Sequence, residues 1–483
     1  MAGVEHLAPG PASGTVRVAV IGGGWAGLAA AVELTERGVP VTIFEAAPQW
    51  GGRARRCPVQ LGDSAVDLDN GQHLMLGAYR ECLRLIQHVN ADLPGDGLAP
   101  NHAVSATSPE VPFVRTRLHI ATPDGLLLQR IRLPGTAGVI AGLLGASILS
   151  AGERWALMRF LSALRWHRWR GFDGLTVMQL LARFGQPPAL VKLLWEPLCI
   201  AALNTEASAA CAQTFATVLR DSLGAGGDAS DFITPRSTLG ALFPEPAAAW
   251  LQRRGAHLRL RRVVRGIAPS DPQGSAWRVR TSDAAAPDEE FAALVIAVPP
   301  PNAARLVGDA APGVAAQLRK FEFDTIATVY LGWRDDPGLA PITMLGEDAG
   351  RGYYGQWLFD RGAQGNWHVG AIVVSAQGRR APIGPSELAR RVASQVAEQL
   401  GVAVAPATTV MIEKRATWRC LPGRPRLIPD VCALEGNHLQ RLWLAGDHAC
   451  PERYPATLEG AVRSGVAAAR GVAALLDGKI DGA

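Results

Sequence analysis

A short apolar strand that runs into closely spaced glycines constrains this chain more than any other feature. Residues 16–21 read VRVAVI, a β-branched run typical of a buried parallel strand. The pattern G-x-G-x-x-G follows, and residues 27–37 then repeat apolar side chains at helical spacing. A second strand is predicted over 41–44, which completes a βαβ unit. Such a unit predicts a parallel sheet that binds a dinucleotide at its carboxyl edge.

The glycines have separate roles in a unit of this kind. Gly22 permits the tight turn, Gly24 lets backbone N–H groups approach a pyrophosphate, and Gly27 lets the helix pack closely on the strand. Glu45 follows the second strand, where a carboxylate can accept both ribose hydroxyls and would repel a 2′-phosphate. The alternative is a glycine-rich turn that binds no ligand.

A second glycine pair comes directly after the βαβ unit. Gly52 precedes Arg53, whose guanidinium can add a charge-assisted hydrogen bond to the pyrophosphate. A domain that binds only NAD does not need this segment, although a surface turn with a solvated arginine is the alternative. Its position after Glu45 favours FAD.

A third signature lies about 400 residues further on. An apolar strand ends in Gly446 and Asp447, whose carboxylate can bind a ribityl hydroxyl, and Leu458 opens a last helix predicted over 457–476. The N-terminus of that helix would favour negative charge on a flavin ring. The predicted cofactor-binding residues are Gly22, Gly24, Trp25, Ala26, Gly27, Glu45, Gly52, Arg53, Val264, Gly446, Asp447 and Leu458.

The length of 483 residues predicts two interleaved domains rather than one core. The predicted fold is α/β, with an FAD-binding Rossmann-like domain interleaved with a mixed α+β substrate domain. Residues 76–245 are predicted to be mostly helical, and Ser386 is the predicted N-cap of a helix that ends near Leu400. The predicted segments are 1–15 for a disordered tail, 16–75, 250–300 and 440–476 for the FAD domain, and 76–249 and 301–439 for the substrate domain.

Composition excludes several other classes of protein. The formal net charge of +5 is small for this length, and no Lys/Arg block of the nucleic-acid-binding type is present, so no nucleic-acid partner is expected. The seven cysteines are scattered and never form a C-x-x-C pair, which argues against a disulfide framework or a metal site. A reducing cytoplasm is the expected location.

One segment raises the question of membrane contact. Residues 133–152 carry no charge, but their glycines, proline and hydroxyls suit an internal helix and loop better than a membrane span. Residues 153–170 are then rich in Trp and Arg, which suits a lipid headgroup interface. The alternative is a surface helix whose tryptophans are buried against its own domain. A peripheral location on the inner membrane face is thus one of two predictions.

Five segments carry a resemblance to known enzymes, and it extends over about 16–476. The chain resembles the FAD-dependent amine oxidase and phytoene desaturase superfamily, and within it the hydroxysqualene dehydroxylase family. The second, third and fourth segments are specific to that family, whereas residues 447–453 depart from its usual pattern. The segments are 44–56 (FEAAPQWGGRARR), 68–79 (LDNGQHLMLGAY), 194–205 (LWEPLCIAALNT), 240–246 (GALFPEP) and 454–465 (YPATLEGAVRSG).

The resemblance implies an enzyme of hopanoid or triterpenoid biosynthesis that uses reduced FAD to convert hydroxysqualene, an apolar C30 isoprenoid, to squalene. It places Asp69, His73 and Tyr454 near the flavin, as candidate proton donors or as groups that shape the site. Tyr454 can instead form an aromatic wall. The reductant is either NAD(P)H or an external partner. Two rival functions remain, namely a desaturase in which FAD accepts hydride and a prenyl-lipid carrier without redox activity.

The flavin is expected to be bound non-covalently. Cys420 lies roughly where some amine oxidases attach their flavin, but a single cysteine is usually a small core residue.

Overall fold

The structure is a computed structural model of the chain. It describes residues 16–91, 112–131, 133, 137–146, 148–271, 276–283, 285–379, 382–435, 441–452 and 454–478. The tail predicted over residues 1–15 lies outside the described residues.

Strands supply most of the framework of both halves of the molecule. In chain order they are β1 Val18–Ile21, β2 Val41–Phe44, β3 Arg56–Leu61, β4 Ser64–Asp69, β5 Met75–Leu76, β6 Phe113–Thr116, β7 His119–Thr122, β8 Gly125–Gln129, β9 Phe232–Pro235, β10 His257–Arg259, β11 Val264–Pro269, β12 Trp277–Thr281, β13 Glu289–Phe291, β14 Ala293–Ile296, β15 Phe323–Trp333, β16 Ile342–Met344, β17 Trp357–Gln364, β18 Trp367–Val374, β19 Ala407–Trp418 and β20 Leu442–Leu444.

Helices connect and cover these strands. In chain order they are α1 Trp25–Glu36, α2 Arg80–Ala91, α3 Ala137–Leu144, α4 Ala151–Trp166, α5 Val177–Arg183, α6 Pro188–Leu190, α7 Glu196–Leu203, α8 Ala212–Leu219, α9 Leu239–Leu242, α10 Pro244–Arg253, α11 Pro300–Val307, α12 Pro312–Leu318, α13 Pro385–Leu400, α14 Val431–Glu435 and α15 Leu458–Leu476. Two π-helical turns, Val191–Trp195 and Arg220–Gly224, lie next to α6 and α8.

A five-stranded parallel sheet carries the predicted dinucleotide-binding unit. Its strand order is β10-β2-β1-β14-β20, and every neighbouring pair is parallel. Strands β1, β2, β14 and β20 are buried on both faces, because one large hydrophobic core lies against each face of the sheet, whereas the edge strand β10 is only partly buried. The predicted α/β fold is therefore confirmed. Its strands come from the three segments of sequence that were assigned to the FAD domain, while the domain division itself remains a prediction.

Helices α1 and α15 pack against each other on this sheet, although they lie at opposite ends of the described chain. A Cβ on Gly465 would lie 2.1 Å from the carbonyl oxygen of Ala26, so the contact requires glycine at this position. The buried carboxylate of Glu33 on α1 pairs with Arg470 on α15 at 3.1 Å. The last helix therefore stabilises the first one and fixes its position on the sheet.

A seven-stranded sheet forms the second half of the molecule, in the order β19-β15-β18-β17-β16-β7-β8. Helix α13 covers one face of this sheet through Leu388, Val392 and Val396. Toward the first half, Thr328 on β15 accepts a hydrogen bond from the Gln72 amide at 3.1 Å. The long strands β15 and β19 thereby border the region between the two halves.

Two local predictions are corrected by the structure. Residues 113–129, within the segment predicted to be mostly helical, form β6, β7 and β8, whose short alternating pattern is outweighed by pairing in larger sheets. The N-cap of α13 is Gly384, not Ser386, and it makes no side-chain cap. Pro385 occupies the first helical position, where its fixed φ starts the helix before Ser386 can cap it.

The uncharged segment 133–152 includes α3 and the loop that leads to α4. No helix in the described part of the chain has both the length and the hydropathy needed to cross a membrane.

Candidate functional site

The glycine loop after β1 is shaped by two close contacts and one open position. Gly22 has a φ of +113°, and a Cβ there would lie 2.3 Å from the carbonyl oxygen of Ala297. A Cβ on Gly27 would lie 1.9 Å from the carbonyl oxygen of Gly22. Gly24 differs, because the nearest atom to its Cβ position is the Cα of Gly52 at 3.8 Å. Packing therefore requires glycine at 22 and 27, whereas glycine at 24 keeps backbone accessible.

The second glycine pair lies directly against this loop. The Gly51 amide donates to the carbonyl oxygen of Gly23 at 2.9 Å, and the Trp25 indole donates to the carbonyl oxygen of Ala54 at 3.0 Å. Gly52 has a φ of +60°, a conformation that favours glycine. The two glycine segments, which are separated by 26 residues in sequence, thus form one cradle, defined here as residues 22–24 and 51–53, in which Gly24 and Gly52 keep accessible surface.

Glu45 follows the carboxyl end of β2 and lies against this cradle. Its carboxylate accepts the backbone amides of Gly23 at 2.6 Å and Ala47 at 2.7 Å, and the side chain is half-buried. The Arg262 amide donates to the carbonyl oxygen of Glu45 at 2.8 Å. That contact brings the start of β11, and with it Val264, to the same edge of the sheet.

Arg53 and Asp447 meet across the molecule. The guanidinium pairs with the carboxylate at 2.8 Å and also donates to the carbonyl oxygen of Ala416 at 2.8 Å. Burial alone would raise the pKa of Asp447, but the charge of Arg53 and contact with His448 outweigh it and lower that pKa to about 2. Oδ1 of Asp447 is nevertheless buried without a hydrogen-bond partner among the described residues. A charged carboxylate with an unpaired buried oxygen is suited to a ligand hydroxyl.

The N-terminus of α15 lies beside Asp447. Thr457 caps this helix by accepting the Gly460 amide at 3.1 Å, and the Gly446 amide donates to the Ser464 hydroxyl at 2.7 Å. Gly446 and Leu458 both keep accessible surface. Because the amides of a helix N-terminus favour negative charge, this end of α15 is suited to an electron-rich ring.

These residues fit FAD. The open backbone at Gly24 and Gly52 leaves room for a pyrophosphate, and Glu45 has lone pairs for ribose hydroxyls. The unpaired oxygen of Asp447 matches a ribityl hydroxyl. The structure therefore brings together the predicted groups from both ends of the sequence.

Asp69 is held by protein groups through one carboxylate oxygen and its backbone carbonyl oxygen. Its side chain accepts the Leu239 amide at 2.7 Å, and its carbonyl oxygen accepts the Tyr330 hydroxyl at 3.0 Å. Burial raises the pKa of Asp69 to about 6, against the effects of the Leu239 amide and of the Arg361 charge 3.9 Å away. Asp69 therefore joins β4, β15 and the start of α9, the helix within the family-specific segment 240–246.

His73 is half-buried and keeps some accessible surface, although protein atoms surround its ring densely. Nδ1 lies 2.8 Å from the carbonyl oxygen of Gly71, which can only accept, so Nδ1 carries the proton. Burial lowers the pKa of His73, the charge of Arg53 lowers it further, and Glu413 partly opposes them. His73 is therefore a neutral ring with Nε2 as an acceptor.

Tyr454 lies in the loop between Asp447 and the N-terminus of α15, and only 3% of its surface is exposed. The guanidinium of Arg463 lies 4.8 Å from its ring centroid. Burial raises the pKa of Tyr454, and the charge of Asp221 raises it further while Arg463 opposes the shift. The hydroxyl makes no hydrogen bond to any residue that the structure describes.

Cys420 is fully buried and away from any accessible surface. Its amide donates to the Thr205 hydroxyl at 3.0 Å, and burial raises the pKa of its thiol to about 11. All seven cysteines are free thiols. A buried, protonated thiol is a poor nucleophile, so Cys420 behaves as a core residue.

Three residues near these groups were not singled out from the sequence. Tyr79 is hydrogen-bonded to Thr457, and Asp221, in the second π-helical turn, lies close enough to raise the pKa of Tyr454. The charge of Glu413 on β19 raises the pKa of His73 and so partly opposes the effect of burial. Tyr79 ends the family-specific segment 68–79, a signal that could have identified it, whereas nothing in the local sequence marks Asp221 or Glu413.

The sequence matches a known family over nearly its whole length. The family described as Flavin containing amine oxidoreductase matches residues 25–473. A hydroxysqualene dehydroxylase from Sinorhizobium fredii is 30% identical over 94% of this chain and 97% of its own. A hydroxysqualene dehydroxylase from Rhodopseudomonas palustris is 29% identical over the same shares. A probable zeta-carotene desaturase from Synechococcus elongatus is 26% identical over 54% of this chain and 53% of its own.

Solved structures share the fold at low sequence identity. Cyclohexylamine oxidase from Brevibacterium oxydans superimposes with a TM-score of 0.66 at 16% identity, covering 96% of this chain and all of that one. An oxidoreductase from Methanosarcina mazei gives a TM-score of 0.65 at 14% identity, covering 93% of this chain and 98% of that one. At these identities the likeness establishes the fold alone.

Proposed function

The chain belongs to the flavin containing amine oxidoreductases and, within them, to the hydroxysqualene dehydroxylase family, and from this premise we propose that it converts hydroxysqualene to squalene. It is an FAD-dependent oxidoreductase. One observation carries the proposal: two relatives with that activity in their names match 94% of the chain, whereas a carotene desaturase matches 54%. The proposed place of the reaction is hopanoid or triterpenoid biosynthesis.

The proposed reaction breaks one carbon–oxygen bond and forms one carbon–hydrogen bond. Reduced FAD, when bound, supplies the hydride to the carbon that loses oxygen, and a protein group supplies the proton with which the hydroxyl leaves as water. Two electrons pass to the substrate, and the flavin is oxidised. The protein must therefore bind the flavin, exclude water and keep one proton-donating side chain protonated.

The residues of the cradle would hold the flavin. Gly24 and Gly52 present backbone to the pyrophosphate, and Glu45 accepts from the ribose. Asp447 accepts from the ribityl chain while Arg53 holds it in its charged form. These assignments for individual residues are part of the proposal.

Tyr454 is the proton donor that we propose. Its hydroxyl is protonated at neutral pH, as any tyrosine hydroxyl is, and burial raises its pKa further. It is free to turn toward a substrate because it has no hydrogen-bond partner among the described residues. The loop that carries it connects the two elements, Asp447 and the start of α15, that border the proposed flavin site. After proton transfer, the charge of Arg463 would stabilise the phenolate at a ring distance of 4.8 Å.

The other two candidates are less suited to this role. The proton of His73 is on Nδ1 and points at the Gly71 carbonyl oxygen, so Nε2 has none to give. Asp69, with a pKa of about 6, is mostly ionised at neutral pH and holds the Leu239 amide. We therefore assign Asp69 and His73 to shaping the site.

The flavin is proposed to be non-covalent because the Cys420 thiol is buried and protonated. Acid precipitation of the yellow protein should leave the flavin in the supernatant. Flavin that stays with the pellet would contradict the non-covalent assignment, and Cys420→Ser would then show whether this thiol is the attachment point.

A desaturase that passes hydride to FAD is the second candidate, and similarity to a carotene desaturase over half of the chain favours it. The two functions differ in redox direction. The decisive experiment gives the anaerobic, reduced enzyme hydroxysqualene and gives the oxidised enzyme squalene or phytoene. We expect squalene from the first reaction and no desaturated product from the second.

Solvent deuterium adds a test of the chemistry. With flavin reduced in D₂O, so that exchange at N5 supplies deuterium, squalene should carry one deuterium at the carbon that lost its hydroxyl. Squalene without that deuterium would exclude hydride delivery from the flavin. Desaturated products from squalene or phytoene, with no squalene formed from hydroxysqualene, would establish the desaturase.

The location and the reductant complete the proposal. An apolar C30 substrate partitions into bilayers, so we propose that the enzyme works at the inner face of the cytoplasmic membrane as a peripheral protein. NAD(P)H or a separate electron-transfer protein supplies the electrons. Reduction of the bound flavin by NADH or NADPH alone, followed by its absorbance, distinguishes the two.

A further inference from the structure

Helix α4 presents an unusual surface. At 100° per residue, Trp155, Arg159, Ser162 and Trp166 fall on one side of the helix, within a narrow angular range. We call this side the tryptophan face. The opposite side packs into the core through Leu157, Phe160 and Leu164. The helix is therefore fixed to the protein on one side, and the tryptophan face points outward.

The exposure of these tryptophans is high for such large side chains. Trp155 is 69% exposed and Trp166 is 87% exposed, so the alternative in which they are buried against their own domain is wrong for both. They lie about 16 Å apart along the helix, at 1.5 Å per residue. Ile131 and Leu133, in the segment before α3, are also exposed. Exposed side chains of this size and apolar character are unusual on a protein surface and favour a site of interaction.

The surroundings of the tryptophan face are basic. Residues 151–195 contain seven Lys or Arg and two Asp or Glu. One of those two acids, Glu153, is engaged in the capping box that starts α4. Arg165, Arg168 and Arg170 form no ion pair with any residue within the described ranges. The segment therefore combines exposed aromatic side chains with uncompensated positive charge.

We propose that the tryptophan face of α4 is a docking surface for an anionic lipid bilayer. The helix lies parallel to the membrane, and the two indoles enter the interface, where tryptophan is favoured. The unpaired arginines, Arg165 in the last turn of α4 and Arg168 and Arg170 after it, contact the negatively charged headgroups. Arg159 lies between the indoles and donates to the carbonyl oxygens of Phe184 and Gly185, which holds the face rigid.

Charge and aromatic content together select lipid over other occupants. A second copy of this chain would bring the same positive charge against itself, because a two-fold contact places like surfaces together. An anionic bilayer supplies both an apolar layer and opposite charge. The inference deepens the proposed function, because a substrate dissolved in the bilayer would then reach the enzyme from the surface on which it rests.

The first experiment measures binding of the intact FAD-loaded protein to sedimented vesicles of phosphatidylglycerol and phosphatidylcholine in equal parts. Trp155→Ala with Trp166→Ala should lower the partition coefficient by about tenfold or more, because two indoles leave the interface. The matched control removes two exposed apolar side chains elsewhere, Val404→Ala with Ile428→Ala, and should bind like the wild type. Brominated lipid should quench the tryptophan emission of the wild type more than that of the Trp variant.

The second experiment tests the charge. Arg165→Glu with Arg168→Glu should weaken binding by about tenfold or more, since each basic residue near such a surface contributes measurably. Arg253→Glu with Lys320→Glu changes the net charge equally at exposed positions far from α4 in sequence and should have little effect. High salt and vesicles of phosphatidylcholine alone should both reduce binding.

These measurements are independent of catalysis, so loss of hydroxysqualene turnover would leave the docking result intact. Equal binding of the Trp variant and the wild type would overturn the docking site. Equal binding to neutral and anionic vesicles would overturn the charge component. Self-association of the wild type that the Trp variant abolishes, without vesicle binding, would make the face a contact between copies and reject the proposal.

Discussion

The glycine cradle and the junction at Asp69 both join distant parts of the chain, but they differ in whether their polar groups have hydrogen-bond partners within the protein. Around the cradle, Gly24 leaves backbone open and Asp447 keeps a buried oxygen without a partner. At the junction, Asp69 holds the Leu239 amide through its side chain and the Tyr330 hydroxyl through its carbonyl oxygen. The cradle thus keeps a fully buried oxygen without a hydrogen bond in the described protein, whereas the buried amide and hydroxyl that meet at Asp69 are both bonded.

This difference separates binding groups from structural ones. A buried polar atom without a partner costs free energy, and a protein retains that cost where a ligand satisfies the atom. Asp447 meets this description, whereas Asp69, although it is buried and has a raised pKa, does not. A shifted pKa alone would have favoured Asp69 as the acid, and the hydrogen bonds decide against it.

Two buried tyrosines give the sharpest test of the comparison, because the Tyr454 hydroxyl has no hydrogen-bond partner among the described residues, whereas the Tyr330 hydroxyl donates to Asp69. Tyr454→Phe should lower kcat by about 10²–10⁴-fold, the usual contribution of a general acid, and should leave FAD affinity unchanged. Tyr330→Phe should keep kcat and lose about 1 kcal/mol of stability, the value of one hydrogen bond. Single-turnover kinetics and thermal unfolding measure the two effects, and equal loss of kcat in both variants would remove the distinction.

Two glycines of one loop allow the same test for the backbone. Gly24→Ala places a methyl group in open space, so the apo protein should unfold as before, while FAD affinity should fall by about tenfold to a hundredfold. Gly27→Ala drives a methyl group into the Gly22 carbonyl and should destabilise the apo protein itself by about 1–3 kcal/mol. Flavin titration and apo unfolding distinguish them. Unchanged FAD affinity in Gly24→Ala would place the pyrophosphate elsewhere.

The contribution of Asp69 to the stability of the protein depends on pH. Since the folded pKa of Asp69 is raised to about 6, ionising it costs stability, and that cost grows as pH rises from about 4 to 6 and is then constant. Asp69→Asn keeps an acceptor for the Leu239 amide without the charge. The variant should therefore gain stability relative to the wild type over that range, by roughly 3 kcal/mol, because each pKa unit of the shift corresponds to about 1.4 kcal/mol. A difference between the two proteins that does not change with pH would contradict the assignment.

Substitution of Glu45 should have the smallest effect on FAD affinity, because its carboxylate already accepts hydrogen bonds from two backbone amides. Glu45→Gln replaces charged hydrogen bonds with neutral ones, and FAD affinity should fall by about fivefold, or 1 kcal/mol. The unfolding temperature of the apo protein should change little. Unchanged FAD affinity, measured by flavin fluorescence titration, would contradict a role for Glu45 in binding ribose.

The sequence predicted the cofactor half better than the substrate half, for a physical reason. Glycine spacing and short apolar strands are local patterns, and they led to β1, α1 and β2. They also singled out Arg53 and Asp447, although not the ion pair that joins these two residues. Long-range pairing is not encoded locally. Strands β6 to β8 occur in a segment predicted to be helical because their pairing with distant strands determines their structure.

The same limit applies to individual side chains. Tyr454 was one of three candidates for the proton donor. Only the structure shows that its hydroxyl has no hydrogen-bond partner among the described residues, while the Asp69 carboxylate accepts the Leu239 amide. Asp221 and Glu413 come from a π-helical turn and an edge of the second sheet, and no spacing rule connects them to Tyr454 or His73. The exposure of Trp155 and Trp166 was likewise open until the helix was placed.

The ion pair between Arg53 and Asp447 also sets an order of events during synthesis. The two residues are 394 positions apart, so a ribosome that adds about 5–20 residues per second needs roughly 20–80 s to travel between them. During that interval the first βαβ unit is already outside the ribosome, without α15 to pack on α1 or a carboxylate to meet Arg53. On the proposed binding site, tight binding of the flavin therefore waits until Asp447 and α15 have been made.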